Sequence, residues 1–79
     1  MESLTCYIDP YSEKQAIKDN RTNEDIWVPT DELVIYLHGL CVQKGYKKVW
    51  LEGPYYETFD LITKFQNLYK DEGILLLAN

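Results

Sequence analysis

The sequence predicts a small α/β domain with the element order β-β-β-α-β-α-β. Short runs rich in β-forming residues alternate with longer runs whose apolar residues recur at helical spacing, and Pro or Gly residues separate them. A length of 79 residues with 46% apolar content fits one domain that spans residues 1–79. We therefore expect a mixed sheet with two packed helices.

The first three strands are expected to form an antiparallel arrangement. Residues 4–8 alternate between apolar and other side chains, and Pro10 ends the run, which is typical of a strand. Residues 13–28 are compatible with a hairpin or with a helix. The polar cluster at residues 19–23, followed by the β-forming residues 26–28, favours the hairpin. In that hairpin we expect Trp27 to be at least half-buried.

The first helix is predicted between Thr30 and Gly45. Thr30 follows Pro29 and is a favourable N-cap, while Gly45 suits a left-handed C-terminal cap. The apolar residues in this interval cover more of the helix surface than one narrow stripe. They are Leu33, Val34, Ile35, Tyr36, Leu37, Leu40, Cys41 and Val42. We therefore expect this helix to be buried on more than one side.

A strand, a second helix and a final strand complete the chain. Residues 49–51 form an apolar run, and Gly53-Pro54 breaks it and opens a helix. The apolar stripe of that helix is expected to comprise Phe59, Ile62, Phe65 and Tyr69. Residues 74–78 are continuously apolar, which predicts a strand covered on both faces. Right-handed crossovers would make strands one, four and five parallel.

Two carboxylates and three tyrosines are predicted at one edge of this sheet. Asp9 closes the first strand and Glu52 closes the fourth, so parallel pairing would place both at the edge where open α/β folds bind ligands. Tyr11, Tyr55 and Tyr56 follow these acids closely. Tyrosine is enriched in binding hot spots, so these residues form a candidate recognition surface, although Tyr55 and Tyr56 could instead staple the helix to the core.

The segments 7–12 and 49–52 resemble the RNase H-like superfold, in particular RuvC-type resolvases. The resemblance implies that Asp9 and Glu52 correspond to acids that bind divalent metal ions in a phosphodiester-cleaving site. Tyr11 stands where the family usually has glycine, and the later acids of the family have no counterpart in this sequence. The alternative function is therefore a metal-dependent nuclease or a catalytically degenerate relative.

Charge and composition favour a protein-binding module over an enzyme. The net charge of −5 provides no broad positive field for direct binding to nucleic acid or to an anionic membrane. No apolar run approaches the roughly 20 residues that span a bilayer, and no secretory leader is evident, so we expect a cytoplasmic protein. We expect no cofactor, no catalytic set and no resident metal.

The expected partner is a protein with a basic surface. The proposed role is that of an inhibitor or accessory factor, such as one from a mobile element, which would dock on its partner. The final apolar strand could also leave a sheet edge open for pairing in a homodimer.

Overall fold

The computed structural model describes residues 2–79 and confirms the predicted element order. The strands are β1 (Leu4–Tyr7), β2 (Lys14–Asp19), β3 (Glu24–Pro29), β4 (Lys48–Glu52) and β5 (Leu75–Ala78), and the helices are α1 (Leu33–Lys44) and α2 (Tyr55–Tyr69). Residues 13–28 form the hairpin rather than a helix. Neither helix has the length and apolar character needed to cross a membrane, within the residues described.

The sheet has the strand order β3-β2-β1-β4-β5. The β1 strand pairs with β2 in antiparallel fashion and with β4 in parallel, and β4 is parallel to β5. The predicted parallel relation of strands one, four and five is therefore confirmed. Among the described strands, β3 and β5 form the two edges.

The core lies between one face of the sheet and both helices. The sheet contributes Leu4, Cys6, Ile17, Val49 and Leu51, and the helices contribute Leu37, Cys41, Leu61 and Phe65. The helices also contact each other, and His38 of α1 stacks on Tyr69 of α2 with ring centroids 3.6 Å apart. Cys6 and Cys41 are free thiols, and burial raises their pKa values to about 12 and about 11.

The other face of the sheet has no covering layer in residues 2–79. The prediction that the last strand is covered on both faces is therefore wrong, since Leu75 is exposed, and Trp27 is 64% exposed rather than half-buried. The reason is that the chain passes from β1 to β4 to β5 in one direction across the sheet. When two crossover connections have the same handedness and move in the same direction across a sheet, their helices lie on the same face of it.

The α1 helix is buried on one side only, contrary to the prediction. Its buried residues are Leu33, Leu37 and Cys41, whereas Ile35 is 63% exposed. Thr30 is not its N-cap, because residues 30–32 form a 3₁₀ turn and the α-helix begins at Leu33. The left-handed cap at Gly45 is confirmed by its φ of 72°.

A buried carboxylate connects the hairpin to the end of α1. Asp19 is 1% exposed, and its Oδ2 atom lies 2.9 Å from the Lys44 Nζ atom. The Tyr46 hydroxyl and the Arg21 amide donate hydrogen bonds to Oδ1 at 3.0 and 2.9 Å. These donors, the Lys44 ammonium foremost, lower the pKa of Asp19 from its ordinary 3.8 to about 2.

We predict that Asp19 makes the stability of the protein depend on pH in the acid range. A carboxyl whose folded-state pKa is depressed stabilises the fold above its ordinary pKa, and this contribution disappears as the pH falls from 3.8 to about 2. The difference in unfolding free energy between the wild type and Asp19→Asn, measured by urea denaturation, should therefore be constant near neutral pH and shrink over that interval. Glu13→Gln, at an exposed carboxyl at the other end of the hairpin, is the control. A pH-independent difference for Asp19→Asn would contradict the prediction.

Candidate functional site

Asp9 and Glu52 lie at the same end of the sheet, at the C-terminal ends of the neighbouring strands β1 and β4. Tyr7 is the register partner of Glu52, and the Ile8 amide donates a hydrogen bond to the Glu52 carbonyl at 2.7 Å. After β1 the chain enters the loop that leads to β2, and after β4 it enters α2. The edge that the sequence predicts therefore exists.

The loop after β1 is held by the buried side chain of Gln15. Gln15 is 1% exposed; its Oε1 atom accepts from the Asp9 amide at 2.6 Å, and its Nε2 atom donates to the Asp9 carbonyl at 2.7 Å. Gln15 Nε2 also donates to the Thr30 hydroxyl at 2.8 Å, and that hydroxyl donates to the Ser12 carbonyl at 2.7 Å. Thr30 thus fixes the loop instead of capping α1.

A cavity of about 350 Å³ opens between this loop and the first turns of both helices. We name it the acidic cavity, because four carboxylates line it: Asp9, Asp31, Glu57 and Asp60. One cation, Lys64, also lines it and forms an ion pair with Asp60 at 3.0 Å. Apolar side chains, including Leu33 and Leu61, form the rest of the wall. The cavity therefore combines an apolar surface with an excess of negative charge.

The two predicted carboxylates face different sides of the sheet. Asp9 lines the acidic cavity on the helix side, and its Oδ1 atom accepts from the Tyr11 amide at 3.0 Å. Glu52 follows the buried Leu51 in β4, so its side chain projects to the uncovered face. Within residues 2–79, no three His, Cys, Asp or Glu side chains are grouped so that they could hold a metal ion.

The predicted tyrosines are exposed, and Tyr11 and Tyr56 adjoin residues of the acidic cavity, whereas Tyr55 lines a separate pocket with Phe59 and Asn79. Tyr11 is 96%, Tyr55 73% and Tyr56 82% exposed, so neither Tyr55 nor Tyr56 staples the helix to the core. The Tyr55 ring lies 5.9 Å from the Tyr56 ring and 5.7 Å from the Phe59 ring. These three aromatic residues form a cluster on the first turns of α2, which offers contact area with little conformational freedom to lose.

Sequence reasoning missed part of this site. Phe59 was expected in the buried stripe, but the buried residues of α2 are Thr58, Leu61 and Phe65. Glu57 and Asp60, three positions apart on α2, both line the acidic cavity. That spacing is the signal that could have identified them, because residues three apart share a helix face.

Comparison with known proteins yields no relative for this chain: no family model, no curated protein and no solved structure matches it. The resemblance of segments 7–12 and 49–52 to RuvC-type proteins therefore stays a hypothesis. So does the nuclease function that the resemblance implies for Asp9 and Glu52.

We predict that Gln15 stabilises the protein by fixing the loop of the site. Gln15→Leu keeps a similar volume but removes the acceptor of the Asp9 amide and one of the two donors to the Asp9 carbonyl, and losing these two hydrogen bonds costs about 1–3 kcal/mol in total. Urea denaturation should show a fall of that size in the free energy of unfolding. Lys14→Ala, at the exposed neighbouring position, is the control and should change it little. Equal stability of Gln15→Leu and the wild type would contradict this role.

Proposed function

We propose that this chain is a protein-binding module whose acidic cavity accepts a lysine or arginine side chain of a partner. The supporting observation is the composition of the cavity wall, to which four acidic residues, Lys64 and several apolar side chains contribute. A long basic side chain has matching chemistry, because its methylene stem packs on apolar surface while its charged head binds carboxylates.

The exposed tyrosines support docking of a larger surface around that side chain. Tyr11 lies beside the cavity on the loop after β1, and Tyr55 and Tyr56 lie on α2. Tyrosine and arginine are the residue types most often found at binding hot spots, commonly opposite one another. The tyrosines would then enclose the basic side chain and exclude water from its ion pairs.

The partner in this proposal is a cytoplasmic protein with a basic surface, such as the phosphate-binding groove of a nucleic-acid-binding enzyme. The chain would act as an inhibitor or accessory factor by occupying that surface. The net charge of −5 supports this role, since opposite charges accelerate the encounter of two proteins.

We predict that the acidic cavity and its tyrosines determine capture of the partner. A tagged wild-type chain should recover a stoichiometric protein from its native cytosol, and the affinity of the purified pair should fall at least tenfold with Tyr56→Ala and with Asp60→Asn. Both side chains are exposed, so melting curves should be unchanged. Raising the salt concentration should weaken binding further, because salt screens exposed charges.

Leu68→Ala is the matched control for this experiment, since Leu68 is an exposed residue on the C-terminal half of α2. It should leave the affinity unchanged. Recovery of a partner whose affinity is insensitive to Tyr56→Ala and Asp60→Asn would reject the acidic cavity as the docking site.

Pairing of two copies through β5 stays a separate prediction. The β5 strand is an edge of the sheet, so the outward backbone groups of this strand have no partner strand within residues 2–79 and could pair with a second copy. Leu75 is an exposed apolar residue on the same strand. Light scattering at high protein concentration should give the molar mass of a dimer, and Leu75→Lys should restore the monomer. A monomer for the wild type would reject edge pairing.

A further inference from the structure

A groove runs between edge strand β3 and helix α1, away from the acidic cavity. Its volume is about 480 Å³, and it is lined by uncharged residues of both elements, including Ile26, Trp27, Val28, Ile35, Tyr36 and Gly39. We name it the β3–α1 groove. Ile35 and Tyr36 are exposed there, and Trp27 borders the groove although its side chain, between Ile26 and Val28 in β3, projects to the uncovered face of the sheet. Contiguous apolar surface of this kind marks interaction sites on proteins.

The backbone of β3 is free to pair along this groove. The Thr30 amide donates to the Glu13 carbonyl at 2.8 Å, which sets the alternation of hydrogen bonds between β2 and β3. By that alternation Ile26 and Val28 bond to β2, whereas Asp25 and Trp27 direct both their N–H and C=O groups outward. No described strand lies on that side of β3. An added strand could therefore bond to Asp25 and Trp27.

Gly39 keeps the groove open at a cost to the helix. It lies in the middle of α1, where glycine is less favourable than alanine by about 0.5–1 kcal/mol. Its backbone is not in the left-handed region, and a Cβ atom placed on it would meet no neighbouring atom within 4 Å. Packing inside the fold therefore does not require glycine here. An occupant of the groove would explain the missing side chain.

Acidic residues flank the groove at both ends of β3. Glu24 and Asp25 lie at the start of the strand, and Asp31 and Glu32 follow its end. All four are exposed, while the lining between them is uncharged. Charge complementarity therefore favours an occupant that is apolar in the middle and basic at its ends.

We propose that the β3–α1 groove binds an extended segment of a protein partner, which pairs with β3 as a sixth strand. Alternate side chains of the segment are apolar and enter the groove, and lysine or arginine residues at its ends meet the four acids. Main-chain hydrogen bonds to Asp25 and Trp27 hold it in place, as in other cases of strand addition. The proposal rests on the proposed function in taking the occupant to be a protein, but it uses a separate surface.

Selection from a random library of displayed 12-residue peptides tests this proposal. The library is selected on the wild-type chain, after depletion on Gly39→Trp, which fills the groove where the structure leaves space. The expected result is a family of peptides with alternating apolar residues and basic ends. Their affinity, measured with synthetic peptides by calorimetry, should fall at least tenfold on Gly39→Trp. Gly39→Ala is the fold control: it should raise the melting temperature, and it should lower the affinity less than Gly39→Trp does, because its side chain intrudes less on the occupant.

Backbone methylation distinguishes strand addition from simple apolar contact. Two methylated versions of the best peptide are compared, one with the odd-numbered backbone nitrogens methylated and one with the even-numbered. One version should lose binding and the other should keep it, because only alternate residues of a strand direct their N–H groups towards its neighbour. Equal effects of the two methylation patterns would overturn the proposed pairing of the peptide with β3.

Three other outcomes would also overturn the proposal. The first is the absence of any enriched peptide family, and the second is a set of peptides that bind Gly39→Trp as tightly as the wild type. The third is a wild-type dimer that Gly39→Trp dissociates, because the occupant would then be a second copy of this chain. Peptides lost with Tyr56→Ala and Asp60→Asn but not with Gly39→Trp would reject the groove and support the acidic cavity. Peptides with the reverse pattern support the groove whatever the fate of the acidic cavity.

Discussion

The parallel pairing of β1 with β4 at the centre of the sheet is the constraint on which the rest of the structure depends. A parallel neighbour cannot be reached by a tight turn, so each of the links from β3 to β4 and from β4 to β5 contains a helix. Since both crossovers proceed in one direction, both helices cover the same face. Within residues 2–79 the result is a two-layer domain with one uncovered sheet face, two open edge strands, and both helix starts beside the ends of β1 and β4.

Two buried polar side chains hold opposite ends of this arrangement. Gln15 fixes the loop after β1 at the edge that contains the acidic cavity, and Asp19 joins the hairpin to Lys44 and Tyr46 at the other edge. Both lie on the core-facing side of β2, with Ile17 between them. Some of their partners are distant in sequence, Thr30 for Gln15 and Lys44 and Tyr46 for Asp19, so each one helps to specify how the hairpin packs against the remainder of the domain.

The candidate binding surfaces lie where the core ends, and they share one electrostatic character. Acids surround both the acidic cavity and the β3–α1 groove, and Asp31 belongs to both borders. Part of this charge stabilises the fold, because carboxylates near the start of a helix interact favourably with its dipole. The same placement puts the negative charge of Glu57 directly after the exposed Tyr56. In the proposed binding mode, the acids that stabilise the helix starts would also attract a basic partner.

The sequence by itself predicted the element order and the parallel strands and favoured the hairpin over a helix. Alternation, helical spacing and Pro or Gly breaks are local signals, and the handedness of crossover connections converts them into a topology. It also placed Asp9, Glu52 and the tyrosines at one edge. Local signals could not show that Asp9 and Glu52 face opposite sides, that Asp19 is buried in a network, or that Trp27, Ile35 and Phe59 are exposed. Only the tertiary structure decided these points, because an apolar residue is buried when another element covers it, and here both helices cover a single face of the sheet.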